Sequence, residues 1–128
     1  MYNVLAIAIA AVSNFLLGGL WYSLLFGKTW QQEAGVSNEK IKAHGSTPYI
    51  FSLVYSVFAA IGFNYLAMYS TSLLGNVILG AVVGVLLVAT SLGVNYQFAG
   101  RSNKLFLIDA GYHVAQFLVY SLVFWYVH

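Results

Sequence analysis

The sequence predicts an all-α membrane protein, four transmembrane helices in an up-down bundle, on three observations. First, 61% of the 128 residues are hydrophobic and only 6% are charged, where a soluble domain carries about 25% charged residues. The chain therefore cannot dress a soluble fold of this size in a polar surface. Second, four apolar stretches, at about 3–26, 48–69, 73–98 and 104–127, are each long enough to cross the ~30 Å hydrocarbon core at about 1.5 Å of rise per residue. Third, seven of the eight charged residues fall in the connections between these stretches. No in-out alternation of the kind a barrel strand requires is present. The chain is read as one four-helix transmembrane domain, 1–128.

The first stretch is not a cleavable signal, because its apolar part is too long and no Lys or Arg precedes it. Ala6, Ala10, Asn14 and Gly18 recur along it at four-residue spacing. The segment 27–47 that follows holds Lys28, Glu33, Glu39, Lys40 and Lys42. Trp30 and Ile41 within it predict that it lies partly along the membrane surface, with a short interfacial helix after Ser37 as N-cap. Ser52, Ser56, Ala60 and Asn64 repeat the four-residue stripe in the second stretch, and Ser70, Thr71 and Ser72 form a tight turn to the third. There Gly80 and Gly84 are followed by Ser91 and Asn95. Stripes of small and polar residues let helix backbones approach closely and hydrogen-bond where no hydrophobic force drives association. The Gly80/Gly84 face is in addition expected to bring two copies together as a homodimer.

Segments 27–47 and 99–104 hold all five Lys and Arg, whereas both termini and the turn at 70–72 hold none. The positive-inside rule places the two basic segments in the cytoplasm and both termini outside. Tyr2, Trp21, Trp30, Tyr49, Tyr69, Trp125 and Tyr126 stand near span ends, where aromatic rings anchor at the interface.

The fourth stretch carries the one intramembrane charge. Asp109, His113, Gln116 and Tyr120 stand at i, i+4, i+7 and i+11, one polar face of a helix. A charged side chain within a span costs on the order of 3 kcal/mol, so something must offset it. Two readings stay open. Asp109 pairs with His113 in a proton- or ligand-responsive site, or Lys104, Arg101 or Lys28 snorkels to it and fixes the bundle. The polar intramembrane site expected from these residues comprises Asp109, His113, Asn95, Tyr22, Tyr112 and Gln116, and no catalytic residue is assigned.

Absences narrow the chemistry. Without cysteine there is no disulfide, thiolate metal site or thiol nucleophile. His44 and His128 lie in a loop and at the far terminus, so no metal quartet forms, and no cofactor is expected. No Gly-rich phosphate loop or basic-aromatic array is present, which sets nucleic acid aside; anionic lipid headgroups account for the basic loops.

Two stretches echo each other. Gly19-Leu20-Trp21-Tyr22 runs into Gly27-Lys28 as Gly93-Val94-Asn95-Tyr96 runs into Gly100-Arg101, and Ser52, Tyr55 and Ser56 align with Asp109, Tyr112 and His113. The echo suggests two helical hairpins in one orientation, related by an axis along the membrane normal. It also puts Trp21, Tyr22, Asn95, Tyr96, Asp109 and His113 at one depth.

The segments Trp21-Tyr22-Ser23, Phe26-Gly27-Lys28-x-Trp30, Asn95-Tyr96-x-Phe98-x-Gly100-Arg101 and Leu107-Ile108-Asp109-Ala110-Gly111-Tyr112-His113 resemble the bacterial membrane family catalogued as domain of unknown function 1761, over nearly the whole chain. The resemblance implies a small four-helix integral membrane protein and brings no activity, cofactor or catalytic residue with it. The family often has Pro where this chain has Leu24, which implies a straighter end to the first helix here. It usually has Asn where this chain has Asp109, which favours a hydrogen-bonding role there.

Three functions compete. A structural or interaction bundle that self-associates is supported by the small-residue seams. A small proton-coupled transporter or channel would use Asp109 and His113, with a small molecule or lipid as ligand. A membrane enzyme would need His113 as acid/base, with no nucleophile beside it.

Overall fold

The computed structural model describes residues 3–128; the anchoring expected of Tyr2 lies outside them. The chain is 86% helix, and among the described residues there is no strand. Four helices are long and apolar enough to cross a membrane: α1 (Val4–Leu25), α4 (Thr47–Ala67), α5 (Leu73–Phe98) and α6 (Asn103–Tyr126). Their ends fall within two residues of those read from the sequence. Between α1 and α4 lie two short helices, α2 (Gly27–Ala34) and α3 (Asn38–His44). The second is the short helix expected after Ser37, with Ser37 as its N-cap; the first is a finding of the structure.

Side chains close the helix starts, where backbone N–H groups have no intrahelical acceptor. Asn3 accepts from Ala6 N, Ser37 from Lys40 N, Ser72 from Gly75 N and Ser102 from Leu105 N, at 2.9 to 3.1 Å. Gly35 (φ 70°) stops α2 and Gly100 (φ 67°) follows α5, both in the left-handed region that side chains avoid.

Helix α1 packs between α4 and α6, and α6 packs between α1 and α5; α4 and α5, although joined by a short turn, touch little. Each hairpin uses a small-residue face. On α1 the fully buried Ala6 and Ala10 face inward, Ala10 clustering with Ala60 of α4. On α5 a Cβ at Gly80 would stand 2.6 Å from the Phe117 carbonyl oxygen, and one at Gly84 would stand 2.9 Å from Val114 Cα. The Gly80/Gly84 face is thus filled by α6 of the same chain, and is not the dimer surface that the sequence offered. The connection 99–102 is short, so α6 reaches those glycines at an effective concentration that a separate copy cannot match.

The two ends of the bundle differ. In the half near the termini, Phe63 stacks against Phe117, Tyr120 and Phe124 with centroids 5.9 to 6.1 Å apart, sealed around Ala10, Ala60 and Val83. Asn64 and Asn76 are also buried there; Asn76 donates to the Ser121 carbonyl at 2.9 Å, while Asn64 Nδ2 and Asn76 Oδ1 have no partner among the described residues. In the half near the basic loops, every residue from 37 to 55 is exposed.

Two segments wind wider than an α-helix. Residues Trp21–Leu25 at the end of α1 form a π-helix, with Phe26 N bonded to Trp21 O at 2.9 Å. Gly27 permits this, since a Cβ there would lie 3.0 Å from the Tyr22 carbonyl. Val82–Ala89 of α5 is wound likewise. At its close Thr90 and Ser91 hydroxyls bond back to the carbonyls of Leu86 and Leu87, a recognised disturbance of helical winding.

Gly80→Ala should lower stability by about 1–3 kcal/mol through overpacking, whereas Gly62→Ala, where nothing lies within 4 Å of the new Cβ, should leave it unchanged. Thermal unfolding of both variants in one detergent checks this, and equal melting temperatures would contradict the packing described.

Candidate functional site

The widened end of α1 brings two successive aromatic residues onto α6. Trp21 donates its indole N–H to the Ile108 carbonyl at 2.9 Å, and the Tyr22 hydroxyl donates to Asp109 Oδ1 at 2.5 Å. Gly111 leaves room for the indole; a Cβ there would stand 3.2 Å from Trp21 Cζ2. From α5, the Tyr96 hydroxyl donates to Asp109 Oδ2. Each carboxylate oxygen thus accepts from a different helix. Hydrogen bonds to a charged acceptor are about twice as strong as neutral ones, which offsets the cost of carrying Asp109 inside a span. The Tyr22 ring packs edge-on against Trp30 and Tyr112, with centroids 5.6 and 5.3 Å away.

One turn further along α6 the polar face leads elsewhere. The Tyr112 hydroxyl donates to Asn14 Oδ1 at 2.8 Å, Asn14 Nδ2 donates to Ser56 Oγ at 2.7 Å, and Ser56 Oγ donates to the Ser52 carbonyl at 2.7 Å. His113 Nδ1 faces Gln116 Oε1 at 2.8 Å. An amide oxygen only accepts, so Nδ1 carries the proton. Gln116 Nε2 donates to the Tyr120 hydroxyl at 3.2 Å, and that hydroxyl donates to the Ser56 carbonyl at 2.7 Å. Two hydrogen-bonded chains, from His113 and from Tyr112, therefore meet at Ser56.

Asp109 and Tyr22 are in direct contact, and Tyr112 packs on Tyr22. Asn95 is exposed and lines a cavity beside Asp109. The expected Asp109–His113 pair is replaced: two phenols hold the carboxylate, and His113 turns to Gln116 on its other side. Nor does a basic residue supply those two bonds. Arg101 donates instead to the Ala34 carbonyl of α2 at 3.3 Å, while Lys28 and Lys104 are exposed. Tyr96, Asn14 and Ser56 also belong to the site. The internal echo gives Tyr96 the depth of Asp109, and Asn14 and Ser56 stand in the small-residue stripes of their helices.

Against this cluster lies a cavity of about 730 Å³. Its walls come from Tyr22 of α1, Ser52 of α4, Tyr96 of α5 and His113 of α6, together with the exposed Lys40 and His44 of α3. A second cavity, of about 470 Å³, shares Tyr96, Asp109, Trp30 and Lys40 with the first and adds Asn95 and Arg101. Asp109 therefore borders both. Among the described residues no three His, Asp or Glu side chains converge as metal ligands would.

A family model described as "Protein of unknown function (DUF1761)" matches residues 5–125. No curated protein and no solved structure matches the chain.

Replacing Asp109 by Leu strands two phenol donors and should cost about 1–3 kcal/mol for each left unsatisfied. Asp109→Asn keeps a carbonyl acceptor for one of them and should retain most of the stability. Denaturation in detergent followed by tryptophan fluorescence ranks the two, and an Asn variant no more stable than the Leu variant would refute this account of the site.

Proposed function

The chain belongs to that family of unknown function, and on this premise we propose that it is an integral protein of the bacterial cytoplasmic membrane that carries a small solute by way of Asp109. The observation that supports this most is the 730 Å³ cavity, walled by all four long helices and lined by the Asp109 carboxylate, four phenols and two imidazoles. Beyond it the helices close on one another through Phe63, Phe117 and Tyr120. Polar side chains nevertheless continue through the closed half as Asn14, Ser56, Gln116, Tyr120, Ser121, Asn64 and Asn76, all buried. A bundle that is open at one end, packed at the other and polar throughout has the form of one state of an alternating-access carrier. An ionisable side chain inside a span is costly and commonly marks a solute or proton path.

Asp109 is the natural coupling point. A solute donor that shares its oxygens weakens their bonds to Tyr22 and Tyr96, the groups that tie α1 and α5 to α6 at this end. Binding would thus loosen the contacts that hold the open shape. The orientation assigned here, with the basic loops in the cytoplasm and both termini outside, rests on the distribution of Lys and Arg.

Self-association is a second reading. It is favoured by the unbroken exposure of residues 37–55, which leaves α3 and the first half of α4 uncovered for a second copy. Mass measurement in nanodiscs should return twice the 14.0 kDa of the chain, and a monomer mass would dispose of the dimer.

The chain lacks cysteine, so single-cysteine variants report access without background. A membrane-impermeant thiol reagent should label Lys40→Cys and Ser52→Cys only from the cytoplasmic face, and Ser70→Cys only from outside. Labelling of position 40 from outside would reverse the topology. A Ser52→Cys thiol that reacts from neither face would close the cavity and end the carrier reading.

A further inference from the structure

The charges around the two cavities are sorted by depth. Asp109 lies within α6, six residues beyond its first residue Asn103, or about 9 Å along the axis. The basic groups are exposed where Asp109 is half-buried, and so mark the mouth: Lys40 of α3 borders both cavities, His44 the larger and Arg101 the smaller. Arg101 gives one N–H to the Ala34 carbonyl and keeps the rest of its five-donor fork. Each oxygen of Asp109 takes one phenol, and since a carboxylate has about four lone-pair sites, each retains another. Tyr22, Trp30, Tyr96 and Tyr112 line the cavities around it, and aromatic rings attract cations.

A simple organic cation would be drawn to the floor of this site and repelled at the mouth, and a simple anion the reverse. A molecule with a positive and a negative pole meets both. We propose that the solute of this cavity is a small water-borne zwitterion, its ammonium group seated on Asp109 and its oxyanion held at the mouth by Lys40, Arg101 and His44. This rests on the carrier reading and adds the class of solute to it. The depth of the poles sets the remaining features. A separation of several ångströms calls for a linker of a few atoms between them. It also distinguishes a free solute from a lipid headgroup carrying the same two groups. In an ammonium-bearing phospholipid the acyl chains attach on the phosphate side. Here the phosphate would sit at the mouth and the ammonium deeper, so the chains would leave toward water.

The test uses the full chain in phosphatidylglycerol nanodiscs, whose lipid has no ammonium, titrated calorimetrically with phosphoethanolamine, ethanolamine and inorganic phosphate. Phosphoethanolamine should bind at least tenfold tighter than either fragment. Asp109→Asn should erase its advantage over phosphate, and the double variant Lys40→Gln, Arg101→Gln its advantage over ethanolamine. Equal binding of phosphoethanolamine and either fragment would overturn the zwitterion. So would no binding of any probe; if Ser52→Cys still labels from the cytoplasmic face, the open cavity survives that result, and if it does not, both readings fall. Adding phosphatidylethanolamine to the nanodiscs separates the two sources. Unchanged affinity for the soluble probe supports a free solute, and a tenfold or greater fall would identify the lipid headgroup as the occupant and overturn the water-borne assignment.

Discussion

A carboxylate within a transmembrane helix must be met by donors, and the loop-side half of this bundle is organised around meeting Asp109. The donors come from α1 and α5, so one side chain on α6 ties three helices together at the end where they otherwise part. Much of the nearby covalent detail serves that contact. Gly27 permits the π-wound turn that carries Tyr22, and Gly111 admits Trp21 beside it. Tyr112 then fills the space between this cluster and the Asn14–Ser56 network. π-wound turns are frequent at functional sites, and here one coincides with the residues that hold the charge.

The opposite half is held by different physics. Lipid tails are as apolar as leucine, so helices there gain by close van der Waals approach and by interhelical hydrogen bonds. Ala6, Ala10, Gly80 and Gly84 provide the first, and Asn14, Asn76 and Tyr120 provide the second. The division explains how a chain of 128 residues can be both firm and open. One end is packed to backbone contact, while the other is spanned by hydroxyl groups around an accessible space.

The four long helices and the helix after Ser37 were legible because length, apolar content and cap residues are local properties of the chain. The polar face of α6 was legible for the same reason. Partner choice was not. Whether Asp109 meets His113, a lysine or a phenol depends on how α1 and α5 are wound and rotated, and the π-segments that set this have no clear signature in Trp21–Leu25 or Val82–Ala89. The destination of Gly80 and Gly84 was hidden in the same way. A small-residue face declares that something will pack on it, without saying whether that is the next helix or another chain. Asn14 and Ser56 looked like spacers because their hydrogen bonds, across 42 positions of sequence, exist only once the helices are side by side.

Asn64 and Asn76 give the packed end a character of its own. Each is buried, and between them they leave a donor, Asn64 Nδ2, and an acceptor, Asn76 Oδ1, without partners among the described residues. A buried polar atom in that condition costs about 1–3 kcal/mol, and two of them weigh against the aromatic stacking that closes the helices there. Hydration of that region would satisfy one group of each sign at once. The end of the molecule that is shut most tightly is also the end that water would relieve.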